Sequence, residues 1–157
     1  MDFVHVELKR DTWSKPAKYV TSPEEAVTEI KKMIENLDRE MLISLQLACS
    51  GEVINASICS VGSIDCACVF VGGIVRTALL SGASSVILIH NHPSGNPKAS
   101  KSDWGVTKRL AIACHIFNLE LLDHIIIGAN DQKISLKEDY KELFDVSITE
   151  LKELMTE

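Results

Sequence analysis

His90-Asn91-His92-Pro93-Ser94-Gly95 sets two imidazoles two residues apart, and Ser100 and Asp103 follow in H-x-H-x7-S-x2-D spacing. Two histidines and an aspartate are three metal ligands. With a fourth position left open they form the ligand set of a catalytic zinc ion, whereas structural zinc sites are closed by four ligands, often cysteines. Zinc held this way lowers the pKa of bound water to about 7 and polarises a carbonyl, so the chemistry on offer is hydrolysis. Such a site also needs a general base near the water.

The histidines need a strand to carry them. Ser85-Val86-Ile87-Leu88-Ile89 is short, apolar and β-branched, and it runs straight into His90. Alternation puts Val86, Leu88, His90 and His92 on one face, with Ile87, Ile89 and Asn91 on the other. Both faces stay apolar up to His90, which predicts a central strand covered on both sides. Histidines at i and i+2 lie about 6.5–7 Å apart along a strand, near enough to share one cation. Pro93-Ser94-Gly95-Asn96-Pro97 then breaks the ladder with turn chemistry.

The aspartate needs a helix. Ser100-Lys101-Ser102-Asp103 opens one that is expected to run to about Phe117. S-x-x-D is also a capping pattern, and an acid in the first turn suits the helix dipole. The two roles are compatible, and Ser100 can serve both. Asp103, Leu110, Cys114 and Phe117 recur at near-heptad spacing, which turns Asp103 toward the core side and the histidine strand.

Two acids compete for the role of base. Glu40 starts a strand over 41–48, on the face of Leu42, Ser44 and Gln46, and that face turns polar as a site rim would. Glu52 stands in a hairpin turn, Ser50-Gly51-Glu52, before a returning strand over 53–59. Among the remaining histidines, His5 falls on an edge strand over 3–8 and His115 one step off the inward stripe of the site helix. His124, beside Asp123 on a strand over 119–127, reads as a core or supporting histidine rather than a ligand. Ser22-Pro23-Glu24-Glu25 predicts a helix start with an apolar stripe of Ala26, Ile30, Met33, Ile34 and Leu37. A short helix over 73–81, a strand over 133–136 and helices over 137–144 and 147–156 complete the expected elements.

The run HNHPSGNPKASKSD resembles the JAMM (JAB1/MPN+) metalloprotease signature, and within that superfamily it is similar to the RadC family. Asp38-Arg39-Glu40-Met41-Leu42 resembles the family segment that holds a catalytic glutamate, and Leu121-Leu122-Asp123-His124-Ile125-Ile126-Ile127-Gly128 resembles its late strand. The likeness covers roughly residues 22–145. It implies an α/β fold, a mixed sheet flanked by helices in the JAB1/MPN, cytidine deaminase-like architecture. It implies one zinc ion on His90, His92 and Asp103, with Glu40 as the proton shuttle and Ser100 as the oxyanion donor. Asp123 and His124 become candidates for supporting those ligands. The chain departs from the family at Val71-Gly72-Gly73, where Pro-Arg-Glu is usual, and at Ala99, where proline is frequent.

The 157 residues suit one domain with a sizeable core. Residues 1–21 are expected to form an N-terminal strand and connector, 22–145 the RadC-like JAB/MPN domain, and 146–157 a C-terminal helix of that domain. The chain is too short for the helix-hairpin-helix region of long family members, so it is expected to resemble the short, single-domain ones. No apolar run approaches transmembrane length and the N-terminus lacks a signal-peptide pattern, so a cytoplasmic location and no membrane partner are expected. The five cysteines form no CxxC pair and are expected to be free and mostly buried, Cys66 and Cys68 included.

The implied partner is a peptide or protein substrate, and the oligomeric state is left open. A net charge of −6 argues against phosphate-driven binding. Lys98, Lys101, Lys108 and Arg109 gather around the site helix, most simply as its solvated face. Three functions compete at this point. The first is a JAMM-type zinc hydrolase cleaving a peptide or isopeptide bond. The second is a DNA-repair or nucleic-acid processing accessory, the role after which the RadC family was named. The third is a non-catalytic MPN binding module, against which the filled ligand positions speak.

Overall fold

The computed structural model describes residues 23–62 and 69–147, with Phe3, Glu7 and Lys9. The expected strand over 3–8, the connector, Ser22, His5, Cys66, Cys68 and the helix over 147–156 lie almost entirely outside these residues. Helix α1 (Pro23–Ile34) leads to the hairpin β1 (Met41–Leu47) and β2 (Val53–Val61). Helix α2 (Val71–Leu80), strand β3 (Ser85–Asn91), helix α3 (Lys101–Ile116) and strand β4 (Glu120–Ile127) follow. Strand β5 (Lys133–Ser135), the single turn α4 (Leu136–Asp139) and a 3-10 turn at Lys141–Leu143 end the fold. The expected helix over 137–144 is thus two short turns, broken at Tyr140.

The sheet order is β2-β1-β3-β4-β5. Pairing is antiparallel except between β3 and β4, which run parallel. Parallel neighbours require a crossover, and α3 supplies it. All seven residues of β3 are buried, as expected for a central strand with two covered faces. On one face Ile87 and Ile89 join Ile43, Leu45 and Leu47 beneath Val27, Ile30 and Ile34 of α1. On the other, Val86, Leu88 and Leu42 pack against Ile74, Val75 and Ala78 of α2 and Val106, Leu110 and Cys114 of α3. The fold is therefore a mixed sheet between helices, the α/β class anticipated.

Two expected core positions are solvent-facing. Met33 is 58% exposed, because Val27, Ile30 and Ile34 already complete the inward stripe of α1 at 3-4 spacing. Phe117 is 52% exposed at the C-cap of α3, whose buried stripe is Asp103, Val106, Thr107, Leu110, Ala111 and Cys114. The polar face of β1 is also not a rim. Ser44 and Gln46 are fully buried, and Gln46 Nε2 donates to Ser44 Oγ at 2.7 Å while Ser57 Oγ donates to Gln46 Oε1 at 3.3 Å. Cys114 is buried and Cys59 partly so, but Cys49 is exposed in the hairpin turn. Burial pushes the Cys114 thiol up to about 12.

Gly72, Gly73 and Ala99 sit in close surroundings. The Phe70 ring lies across the start of α2, where a Cβ on Gly73 would come within 2.9 Å of it and one on Gly72 within 3.1 Å. Ala99 is buried with Ile126 and Leu136 in a small third cluster.

Candidate metal centre

The C-terminal end of β3 and the first turn of α3 meet at one spot. There the ligand atoms of His90, His92 and Asp103 lie within 4.8 Å of one another. The sheet delivers His90, which is fully buried and pairs with Leu42 on one side and Ile126 on the other. His92 follows the strand, and its N–H still bonds Ile127 O at 2.9 Å. The turn behind it is compact because Gly95 takes φ +78° and Gly128 passes beneath. A Cβ on Gly128 would lie 2.5 Å from Gly95 O and 2.7 Å from Pro97 Cδ.

Asp103 comes from α3 and is buried in the helix's first turn. Ser100 is the N-cap and forms a full capping box with it. Its amide and its hydroxyl each donate to Asp103 Oδ2 at 2.7 Å, and its Oγ accepts from Asp103 N at 3.2 Å. The capping role of Ser100 is thus present, and its hydroxyl proton is engaged by Asp103. Burial alone would raise the Asp103 carboxyl. The bond to His92, the charge of His90 and the Ser100 donors outweigh it and hold the carboxyl well below the usual range.

Hydrogen-bond partners assign the imidazole tautomers. Thr107 Oγ1 donates to Asp103 O at 2.6 Å, so at its 2.6 Å contact with His124 it must accept from Nδ1–H. His124 Nε2 is then bare and accepts from His90 Nδ1–H at 2.8 Å, which leaves His90 Nε2 bare as well. His92 Nδ1 contacts Asn96 O at 2.8 Å, and a carbonyl only accepts, so a neutral His92 also has a bare Nε2. These two nitrogens face each other at 3.0 Å, with Asp103 oxygens 3.3 Å from His90 Nε2 and 3.6 Å from His92 Nε2.

Three converging Lewis bases with no donor between them repel unless a cation stands there, so the donor set fits a metal ion. A proton is the smallest such cation. The bond to Asp103, against burial, raises His92, and the charge of Glu40 adds to the rise. His90 is instead held well below its ordinary range, by burial first and then by the charge of His124. Burial takes fully enclosed His124 down to about 4.

Glu40 directly precedes β1 and is half-buried. The β1–β3 register pairs Leu42 with His90, and continued by two residues it sets Glu40 opposite His92. Glu52 lies at the far end of the sheet, where Leu47 pairs with Ser85, so of the two candidate bases Glu40 is the one at the site's end of β1. Of the two supporting candidates, His124 touches His90. Asp123 does not, because its Oδ1 accepts from the amides of His124 at 2.7 Å and Lys137 at 3.1 Å. Thr107 was missed by sequence reasoning, although its place one helical turn after Asp103 was a usable signal. His115 is exposed on the outer side of α3. Lys108 Nζ donates to Asp145 O at 2.7 Å and Arg109 Nη2 to Val69 O at 3.3 Å.

Comparison with known proteins places the chain in one family. A family model described as "RadC-like JAB domain" matches residues 20–142. A UPF0758 protein of Clostridium acetobutylicum is 41% identical over 120 residues, which is 76% of this chain and 52% of that protein. One from Shouchella clausii is 40% identical over 119 residues, 76% of this chain and 51% of its own length. One from the archaeon Methanosarcina mazei is 32% identical over 124 residues, 79% of this chain and 54% of its own. The chain thus spans about half the length of the curated relatives it matches.

Proposed function

The chain belongs to the RadC-like JAB domain family, and we propose that it is a JAMM-type zinc hydrolase that cleaves a peptide or isopeptide bond. The observation that carries this reading is the convergence of His90 Nε2, His92 Nε2 and the Asp103 carboxylate, with bare lone pairs turned toward one point. Two nitrogens and a hard oxygen suit zinc among the divalent ions. When bound, such an ion would act as a Lewis acid on a carbonyl and make water a nucleophile near neutral pH.

The protein's own groups would do the rest. Glu40 takes the proton from the attacking water and returns it to the departing amine. Ser100 turns its hydroxyl from Asp103 to the oxygen of the tetrahedral intermediate, as an oxyanion-hole donor. Asp103, bonded by Ser100 and held ionised, keeps its charge toward the histidines. The acidic net charge lends no support to a nucleic-acid role.

Elemental analysis of tag-free protein tests the reading. The expected result is about one zinc per chain, lost in folded His90→Ala and Asp103→Ala variants. Parent protein that takes up no zinc would overturn it. Glu40→Gln is expected to keep the metal and lose turnover by at least about a hundredfold on any verified peptide substrate.

A further inference from the structure

Asn91 stands between the two histidines, yet its side chain turns away from both. It is 1% exposed. Its Oδ1 accepts from Met41 N at 2.8 Å, and its Nδ2 donates to Arg39 O at 3.0 Å. These two backbone groups bracket Glu40. The regular β1–β3 pairing ends at Leu42–His90, so the next rung falls where the strands part. The Asn91 carboxamide carries one donor and one acceptor facet in the manner of a peptide group, and it supplies that rung from a side chain. From the other side, Glu40 O accepts from Gly62 N at 2.8 Å, so the segment is held across both neighbours of β1.

We propose that Asn91 is a positioning residue, whose carboxamide fixes the Arg39–Met41 segment and so sets Glu40 against His92. This rests on the metal-site reading above, with Glu40 as the base. The ligand strand and the base segment are then one mechanical unit, because the residue between two ligands grips the backbone on both sides of the base. No other side chain types except glutamine offer both a donor and an acceptor on one amide, and glutamine is a methylene too long for this gap.

Cobalt(II), loaded in place of zinc, tests the proposal without a substrate, through its visible absorption and its amount per chain. Asn91→Ala and the near-isosteric Asn91→Asp are compared with Glu40→Gln and with each double variant. Asn91→Asp keeps the acceptor, removes the donor, and carries the test if the alanine variant does not fold. The expected result is one cobalt per chain throughout, and Met41 amide exchange faster by about tenfold or more in Asn91→Ala. The pH midpoint of the cobalt band is expected to move in the same direction in the Asn91 variants as in Glu40→Gln, with no further shift in the doubles.

An unchanged midpoint in the Asn91 variants, or shifts that simply add, would overturn the positioning role. So would loss of cobalt from the Asn91 variants alone, because Asn91 would then support the ligands rather than Glu40. Parent protein that takes up no cobalt would overturn the metal-site reading and this proposal with it.

Discussion

Thr107 and His124 have no place in the reaction, yet they decide which nitrogen of His90 is bare. Removing either is expected to leave the ligands in place but let the His90 ring choose the wrong tautomer. His124→Ala and Thr107→Val should each weaken zinc binding by about 10–100-fold, read by competition with a chromogenic chelator. Unchanged affinity would mean that the ring is oriented by other contacts. His124 also gives the metal-free protein a pH signature. Its pKa falls from 6.5 to about 4 on folding, so the unfolded chain takes up its proton first. Stability is then complete above 6.5 and falls as the pH drops toward 4, on the order of 3 kcal/mol from this residue. His90 acts in the same direction, and the depressed Asp103 adds its own loss only below the ordinary carboxylate range. Raised His92 contributes stability that is fully present below 6.5 and is lost as the pH rises through its folded value, so it offsets part of the fall between pH 7 and pH 4.5. Urea unfolding without metal at pH 7 and pH 4.5 is expected to show this fall, and a smaller one in His124→Gln. The cluster of His90, His92 and Asp103 was legible from type and spacing. The relay behind them was not, because nothing in the order of Thr107 and His124 tells which ring they touch.

At the scale of elements, one irregularity carries the site. Between Val86 and Ile87 the β3–β4 register jumps from Leu121 to Asp123, which leaves Leu122 as an extra residue. Strict alternation from Leu121, which packs on the α2–α3 side, would send His124 to the α1 side. The extra residue reverses the alternation, and His124 comes to lie opposite Leu88 and against His90. A bulge leaves no mark in hydrophobic periodicity, which is why this strand was legible as an element but not in its facing. The strands, α2 and α3 were otherwise readable within a few residues, because apolar alternation and turn residues marked them. The hard contact at Gly128 makes a separate prediction. Gly128→Ala forces a Cβ into the His92–Pro97 turn and is expected to cost about 1–3 kcal/mol, with weaker metal binding alongside. Thermal melts and a zinc titration of that variant would check both effects, and unchanged values would mean that the turn yields freely.

For the whole molecule, the metal would tie the sheet to the helical layer over it, since its ligands come from β3, the following turn and α3. Binding that favours the folded chain stabilises by mass action, about 2.7 kcal/mol when free metal is a hundred times the dissociation constant. For a chain of this size that corresponds to a rise in Tm of about 5–10 °C. The rise is expected in the parent and absent in Asp103→Ala, by scanning calorimetry with and without zinc. The layered α/β fold was legible because β3 is apolar on both faces and α1 has a clear stripe. Its polar interior was not, since Ser44 and Gln46 look like a surface until β2 and α2 close over them. Among the described residues no helix is long and apolar enough to cross a membrane. The relay between the layers has a further consequence. The Nδ1 hydrogens of His90 and His124 are sealed from water on fully buried rings, each shared with a neighbouring acceptor. They are expected to survive in water as separate, far-downfield proton resonances rather than vanish by exchange. Their broadening on warming would time the parting of α3 from the sheet, a clock for breathing motions set inside the molecule itself.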